Sequence, residues 1–133
     1  MSFYRDLLGL EVVQDYVHDP SLIAELTGYR DPDVRAAVLR CSDGSELELA
    51  EFRAPSGRGK ASRDFCDVGL YSVTLAVSGI DRLVAEMRTA GVRFTNDRIS
   101  VVKRGHEPPI HVVYCYDPDG VLITLIEVAP AEH

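Results

Sequence analysis

The feature that most constrains the fold of this chain is an internal repeat. Residues 38–52 read VLRCSDGSELELAEF and residues 115–128 read CYDPDGVLITLIEV. Placing Asp43 and Gly44 on Asp119 and Gly120 gives an offset of 76 residues, at which apolar positions and a closing glutamate coincide. Further upstream, Gly9 in DLLGLEVV matches Gly91 in RTAGVRFT at an offset of 82. The chain therefore contains two copies of one supersecondary unit, and any fold assigned to it must be built twice.

The second copy shows the complete unit. Residues 69–77, GLYSVTLAV, alternate and are rich in β-formers, which predicts a strand. Ser78 to Asp81 has the spacing of a capping box, and apolar residues at helical spacing then run to a stop at Gly91. VRF (92–94), ISVV (99–102), HVVYCY (111–116) and the stretch after Gly120 are predicted as strand segments, and we assign the unit as β-α-β-β-β.

The first copy follows the same order but begins later. Residues 2–8 predict a helix that ends at Gly9, and strands are predicted over 10–17, 34–40 and 46–52. A short helix is expected between the first two strands, with Asp19 as N-cap, Pro20 at its first position and Gly28 as its stop. The opening strand of the unit is not found. Because an unpaired sheet position is costly, we expect omitted residues or a partner chain to fill it.

The bulk properties exclude several classes of protein. A net charge of −7 argues against a nucleic-acid or anionic-membrane surface, which needs clustered Lys and Arg. No apolar run approaches the length of a membrane-spanning helix and no signal peptide precedes the first periodic segment, so we expect a cytoplasmic protein with no membrane partner. Three cysteines without a CxxC pair fit reduced thiols, with Cys41 and Cys115 as small buried hydrophobes.

Three motifs in this order, FYRDLLGLEVV near the start, GLYSV at residues 69–73 and DPDGVLITLIE at residues 117–127, resemble the vicinal oxygen chelate superfamily. That superfamily includes glyoxalase, bleomycin-resistance proteins, extradiol dioxygenases and methylmalonyl-CoA epimerase. The resemblance implies an α+β fold of two βαβββ modules, whose curved mixed sheets enclose a cavity, with the first strand of module 1 absent from this chain. We expect one glyoxalase-like domain over 1–133, with modules at 1–56 and 68–130 and a linker at 57–67.

The resemblance also implies positions for one divalent metal ion. Enzymes of the superfamily hold it with a His on the first strand of each module and a Glu on the last strand of each. The first His falls in the absent strand, the first carboxylate falls on Glu48, and the second-module positions fall on Ser72 and Thr124. The repeat independently equates Glu48 with Thr124. Because neutral hydroxyls are poor ligands for such an ion, we expect no metal cofactor, with a divalent metal as the alternative.

Strand alternation predicts which residues face the cavity. Ser72, Thr74 and Thr124 lie on small, polar faces, and Glu46 and Glu48 share one face of their strand. In an apolar cavity Glu48 would hold a proton more readily and is the candidate general base. The candidate ligand-binding residues are Ser72, Thr74, Thr124, Glu46 and His111.

Each of these residues also has an ordinary interpretation. Glutamates and hydroxyls are common on exposed strand faces, and His111 lies at a strand edge beside two prolines. His18 precedes a helix cap and is more typical of a surface residue than of a ligand.

Three functions are open at this point. The first is a glyoxalase- or bleomycin-resistance-like protein that binds a small organic ligand in a degenerate, metal-free site between the modules. The second is a metal-dependent lyase, isomerase or dioxygenase of the glyoxalase type, and the third is a non-catalytic dimerising subunit. Under all three we expect a homodimer, because proteins of this superfamily often pair modules between chains.

Overall fold

A computed structural model of the chain describes residues 1–59, 64–69, 71–103 and 105–129. The chain divides into two compact units, Met1–Gly59 and Lys60–His133, each built on one β-sheet. This is the α+β fold with two sheets that the sequence predicted. Residues 60–63 of the expected linker, and Leu70, Arg104 and Pro130 of the expected second module, lie outside the described residues.

The helices and strands follow the order expected from the repeat. A helical turn of π type, Phe3–Leu7, opens the chain where a longer helix was predicted. The elements that follow are β1 (Glu11–Val17), α1 (Pro20–Thr27), β2 (Asp33–Arg40), β3 (Glu46–Ala54), β4 (Ser72–Ala76), α2 (Ile80–Thr89), β5 (Ser100–Val102), β6 (Ile110–Tyr116) and β7 (Leu122–Val128). In the described part of the chain, neither helix has the length and apolar character that crossing a bilayer requires.

Helix α1 has the ends that its sequence predicted. The Asp19 side chain accepts a hydrogen bond from Ser21 N at 2.9 Å, Pro20 occupies the first turn, and Gly28 ends the helix with a left-handed φ of 75°. These are the preferred chemistries for the two ends of a helix, and they make a helix of only eight residues sharply bounded.

The first unit is a three-stranded antiparallel sheet in the order β1-β2-β3. The second is a mixed four-stranded sheet in the order β4-β7-β6-β5, in which β4 runs parallel to β7. Among the described residues, no strand of unit 1 lies beside β3 in the way that β4 lies beside β7. The first copy of the repeat thus has the expected gap at this sheet edge.

The internal repeat is reproduced in the register of the two central hairpins. Val38 pairs with Glu48 in unit 1, and the residues 76 positions later, Tyr114 and Thr124, pair in unit 2. The turns correspond as well: Cys41 N donates to Ser45 O at 2.8 Å, and Asp117 N donates to Val121 O at 3.0 Å. The two hairpins have the same backbone pairing and differ in their side chains.

Glycine is required at the same place in both turns. Gly44 has a φ of 87° and Gly120 a φ of 85°, a region that residues with a Cβ rarely adopt. In the second turn Asp117 Oδ1 also accepts hydrogen bonds from Asp119 N and Val121 N, at 2.9 and 2.8 Å. The DPDG motif therefore has a structural role: its turn geometry sets the register of the hairpin.

The two copies differ in the strand that precedes the hairpin. In unit 1 it is continuous as β1, with a register shift between Val12 and Gln14. In unit 2 the expected strand 92–94 is wrong: Phe94 makes an isolated bridge to Cys115, and regular pairing resumes only at β5. Between them Asn96 Oδ1 accepts from Arg98 N at 3.2 Å, a local turn that competes with strand pairing.

Helix α2 packs on β7 and forms the core of unit 2. Ile80 and Met87 of the helix, and Ile123 and Leu125 of the strand, are fully buried. Burial of each such side chain stabilises the fold by about 1.5–3 kcal/mol. The face of β7 that carries Thr124 is thereby turned away from α2, since Ile123 and Leu125 alternate with it.

The N-terminus of α2 is not capped as the sequence suggested. Its N-cap is Gly79, with a left-handed φ of 68°, and no side chain of a local capping box bonds to it. Instead the Glu127 carboxylate, from the end of β7, accepts from Gly79 N at 2.5 Å and from Ile80 N at 3.2 Å. A distant strand supplies the cap because the Ser78-to-Asp81 spacing describes only the local chain, while parallel packing brings Glu127 to the helix end.

We predict that Glu127→Ala destabilises the protein by about 1–2 kcal/mol, because two N–H groups at the helix N-terminus lose their acceptor and a favourable charge. Glu127→Gln keeps one acceptor and should cost about half as much. Urea unfolding curves give the measurement, and Glu86→Gln on the exposed side of α2 is the control with the same charge change. Equal stabilities for Glu127→Ala and Glu86→Gln would contradict the capping role.

Candidate functional site

Unit 1 gathers a phenol, an imidazole and a carboxylate on one face of its sheet. Tyr16 of β1 donates its hydroxyl hydrogen to Glu48 Oε2 at 3.0 Å, and His18 Nε2 lies 3.8 Å from Glu48 Oε1. The Tyr16 and His18 rings meet edge to face, with centroids 4.8 Å apart. We call Tyr16, His18 and Glu48 the Glu48 group. Its geometry follows from the register, which pairs Tyr16 with Ala36 and Glu48 with Val38 on neighbouring positions of β2.

The members of the Glu48 group are accessible but tied together. The Glu48 side chain is 47% exposed and that of His18 is 20% exposed. The hydrogen bond to Glu48 raises the pKa of Tyr16, because the phenolate would lose that bond and face the carboxylate charge. Tyr16 therefore stays protonated and keeps donating to Glu48 throughout the neutral pH range.

Glu46, which we expected as a ligand-binding residue, is engaged elsewhere. Its Oε1 accepts from Arg40 Nη2 at 2.9 Å and from Arg40 Nε at 3.2 Å across the β2–β3 ladder. The structure places Glu46 on the same face as Glu48 but in a separate ion pair.

Unit 2 carries a row of hydroxyl groups on the face of its sheet that is turned away from α2. Thr74 and Thr124 are cross-strand partners, and Thr124 Oγ1 donates to Ser72 Oγ at 3.2 Å. Thr124 is only 8% exposed, whereas Ser72 and Thr74 are exposed. The structure thus brings together the three hydroxyl residues that alternation predicted to share a face.

His111 does not join this row. It pairs with Glu127 on β7 and Val101 on β5, one position out of phase with the Thr124 row, so it lies on the opposite face of the sheet. This placement does not support its expected role in ligand binding beside the hydroxyl row.

Sequence reasoning missed Tyr16 and underrated His18. The signal was available in the alternation of β1, which places Gln14, Tyr16 and His18 on one side of the strand. What the sequence could not supply was the partner of that side, because the pairing of β1 with β2 and of β2 with β3 decides that Tyr16 lies near Glu48.

The donor set at the positions implied by the resemblance does not fit a divalent metal ion. Ser72 and Thr124 present neutral hydroxyls that are bonded to each other, and the contacts of Glu48 are a phenol and one imidazole. Across the described residues, no cluster of three or more His, Cys, Asp or Glu side chains is placed to hold a metal ion. Nor is any buried polar side-chain atom in that part of the chain left without a partner, as one awaiting a ligand would be.

The thiols differ sharply in their surroundings. Cys115 is fully buried, and burial, helped by the charge of Asp117, raises its pKa to about 12. Cys66 is exposed and Cys41 half-buried, and all three are free thiols.

For the hydroxyl row we predict an asymmetric effect of two conservative substitutions. Ser72→Ala leaves the buried Thr124 hydroxyl without its partner and should destabilise the protein by about 1 kcal/mol. Thr124→Val leaves only the exposed Ser72 hydroxyl, which water can satisfy, and should change stability by less than about 0.5 kcal/mol. Urea unfolding measures both, and the double variant should resemble Thr124→Val. The reverse order of effects would contradict the hydrogen bond.

For the thiols we predict that Ellman's reagent at pH 8 modifies Cys66 rapidly and Cys115 only after unfolding in guanidinium. At that pH the folded Cys115 thiol stays protonated and inaccessible, whereas the Cys66 thiol is exposed to the reagent. Cys66→Ser should remove the fast phase. A fast phase that survives in Cys66→Ser and is lost in Cys115→Ala would show that Cys115 is not buried.

Comparisons with known proteins agree with this architecture. The family model of the Glyoxalase/Bleomycin resistance protein/Dioxygenase superfamily matches residues 1–125. A comparison with curated proteins gives no match.

Solved structures show the same fold. A glyoxalase family protein from Bacillus cereus superposes with a TM-score of 0.79 at 22% identity, over 94% of this chain and 82% of the other. A glyoxalase family protein from Enterococcus faecalis gives 0.63 at 21% identity, over 95% and 84%.

The trypanothione-dependent glyoxalase I of Leishmania major gives a TM-score of 0.59 at 21% identity, over 95% of this chain and 74% of the other. At such identities these likenesses establish the fold. With a family model that spans nearly its whole length, this chain belongs to the Glyoxalase/Bleomycin resistance protein/Dioxygenase superfamily.

Proposed function

We propose that this protein binds a small organic molecule and does so without a divalent metal ion. The observation that carries the proposal is the hydrogen bond from Thr124 to Ser72, which joins two hydroxyls where metal-dependent relatives are expected to place a glutamate and a histidine. Membership of the superfamily supports the small-molecule ligand.

The polar groups of the two sheets suit recognition of such a ligand. The hydroxyl row in unit 2 can donate and accept hydrogen bonds, and the Glu48 group in unit 1 adds a carboxylate beside aromatic rings. Small-molecule sites typically combine apolar walls with a few fixed polar groups of this kind. That both sheets line one cavity between the modules stays a prediction of the family resemblance.

A catalytic role for Glu48 remains a second proposal with an observation in its favour. Tyr16 holds the Glu48 carboxylate in one orientation, and an accessible, oriented carboxylate is what a general base requires. The apolar enclosure that we expected around it is not provided within unit 1, where its side chain is 47% exposed.

Metal content after purification without chelators tests the metal-independent proposal. We expect substoichiometric Ni, Zn, Fe, Mn and Co, because the hydroxyl donors compete poorly with water for these ions. Near-stoichiometric metal would overturn the proposal, as would turnover of the glutathione hemithioacetal, or oxygen uptake with catechols, that EDTA abolishes.

Ligand binding needs its own experiment on the same metal-free preparation. A mixed library of charged and neutral fragments, screened by NMR on the full chain, should yield ligands that shift amides of β3, β4 or β7. A library without a single such ligand would favour a non-catalytic, non-binding subunit instead.

A homodimer also remains our proposal. The edge of β3 beside which no described strand lies supports it, because an unpaired strand edge is a template for another chain. Light scattering should give twice the mass of one chain; a monomer at all concentrations would contradict it.

A further inference from the structure

Within the Glu48 group, Tyr16 and Glu48 have acceptor positions to offer a ligand but no hydrogen to donate. Tyr16 has committed its single hydroxyl hydrogen to Glu48 Oε2, so its oxygen can only accept from anything else. An ionised carboxylate accepts about four hydrogen bonds, and Tyr16 occupies one of these positions. His18 Nε2, at 3.8 Å from Oε1, lies beyond hydrogen-bond distance. Tyr16 and Glu48 therefore offer lone pairs to a bound ligand.

Among the ion pairs of the described residues, no arginine of this sheet contacts the Glu48 carboxylate. Three arginines of unit 1 already have carboxylate partners on neighbouring strands: Arg35 with Asp15 at 2.7 Å, Arg40 with Glu46 at 2.9 Å and Arg53 with Asp33 at 2.6 Å. Glu48 instead contacts a neutral phenol and an imidazole. An exposed carboxylate that no arginine neutralises attracts an external cation.

The surface beside Glu48 carries small and aromatic side chains. Tyr16, Ala36 and Ala50 form one row across the three strands; Ala36 is buried, whereas the small Ala50 side chain is exposed. Phe52 lies two residues beyond Ala50 on β3 and shares this face. The Tyr29 ring packs edge to face against the Phe52 ring, with centroids 6.1 Å apart. Aromatic faces near a carboxylate favour a cation attached to an apolar body.

We infer that this face of unit 1 binds an organic cation, namely a protonated amine or a guanidinium carried on a small apolar or aromatic group. Glu48 accepts from the cationic N–H, the Tyr16 oxygen accepts a second N–H, and the ring of Tyr16 faces the charge. The inference rests on the proposed function, since it names the ligand class for small-molecule binding. Tyr16 and Glu48 are the residues that select the charge, and the exposed Ala50 leaves room for the apolar body.

Three probes of one shape and different charge test the inference: benzylamine, benzyl alcohol and benzoate. NMR titration of the full chain at low ionic strength should show benzylamine shifting the amides of Tyr16, His18 and Glu48. Benzyl alcohol should bind about fivefold more weakly and benzoate more weakly still, which is the range for one accessible ion pair with a cation–π contact.

Two variants with the same change of charge distinguish a direct contact with Glu48 from a general effect of the protein's negative charge. Glu48→Gln should lower the affinity for benzylamine about fivefold and leave that for benzyl alcohol unchanged. Glu51→Gln, on the other face of β3, should keep the affinity for benzylamine within about twofold, because a remote exposed charge is screened. The dispersion of the amide spectrum reports whether each variant is folded, and the comparison of probes on the unsubstituted protein does not depend on either variant.

Equal affinities for benzylamine and benzyl alcohol would overturn the cation site while leaving small-molecule binding intact. Shifts that map to β4 and β7 without β1 and β3 would overturn it too, as would equal losses in the two variants. No binding of benzylamine alongside hits from the fragment library would refute the ligand class alone, whereas an empty library refutes the proposed function itself.

Discussion

The register of the two antiparallel hairpins is the constraint on which the rest of this structure depends. Each hairpin closes through an Asp-Gly turn whose glycine has a positive φ, at Gly44 and at Gly120. The turn fixes which residues face each other, so Val38 pairs with Glu48 and Tyr114 with Thr124. A shift of one residue would send every polar group of these strands to the opposite face. The chemistry available on each sheet is thus decided by backbone geometry at two turns.

The two units use this common frame differently. In unit 2 the parallel strand β4 lies beside β7, and the hydroxyl of the buried Thr124 donates a hydrogen bond to Ser72 of β4. In unit 1 the equivalent position is Glu48, which is exposed and bonded to Tyr16 of β1. A duplicated fold has therefore produced one neutral polar row and one charged group.

Glu127 shows how a repeat position can lose its surface role. It lies near the end of β7, at the position that corresponds to Glu51 of β3 in the repeat. Its carboxylate nevertheless accepts hydrogen bonds from the first N–H groups of α2. The helix dipole and two unsatisfied donors make that position favourable for an acid. The same bond joins the end of the last strand to the start of the helix that covers it, so strand and helix are held in one arrangement.

The sequence by itself determined the duplication, the turns, the α1 caps and the alternation of polar and apolar faces, because each follows from local backbone preference or from a period of two. It also identified Glu48 and Thr124 as corresponding positions of the repeat. Only the tertiary structure decided that Tyr16 and His18 lie beside Glu48, that His111 faces away from the hydroxyl row, and that Glu127 rather than a local capping box holds α2. The physical reason is that these contacts join residues 32 and 48 positions apart, whose approach is set by strand pairing and packing rather than by any neighbouring residue.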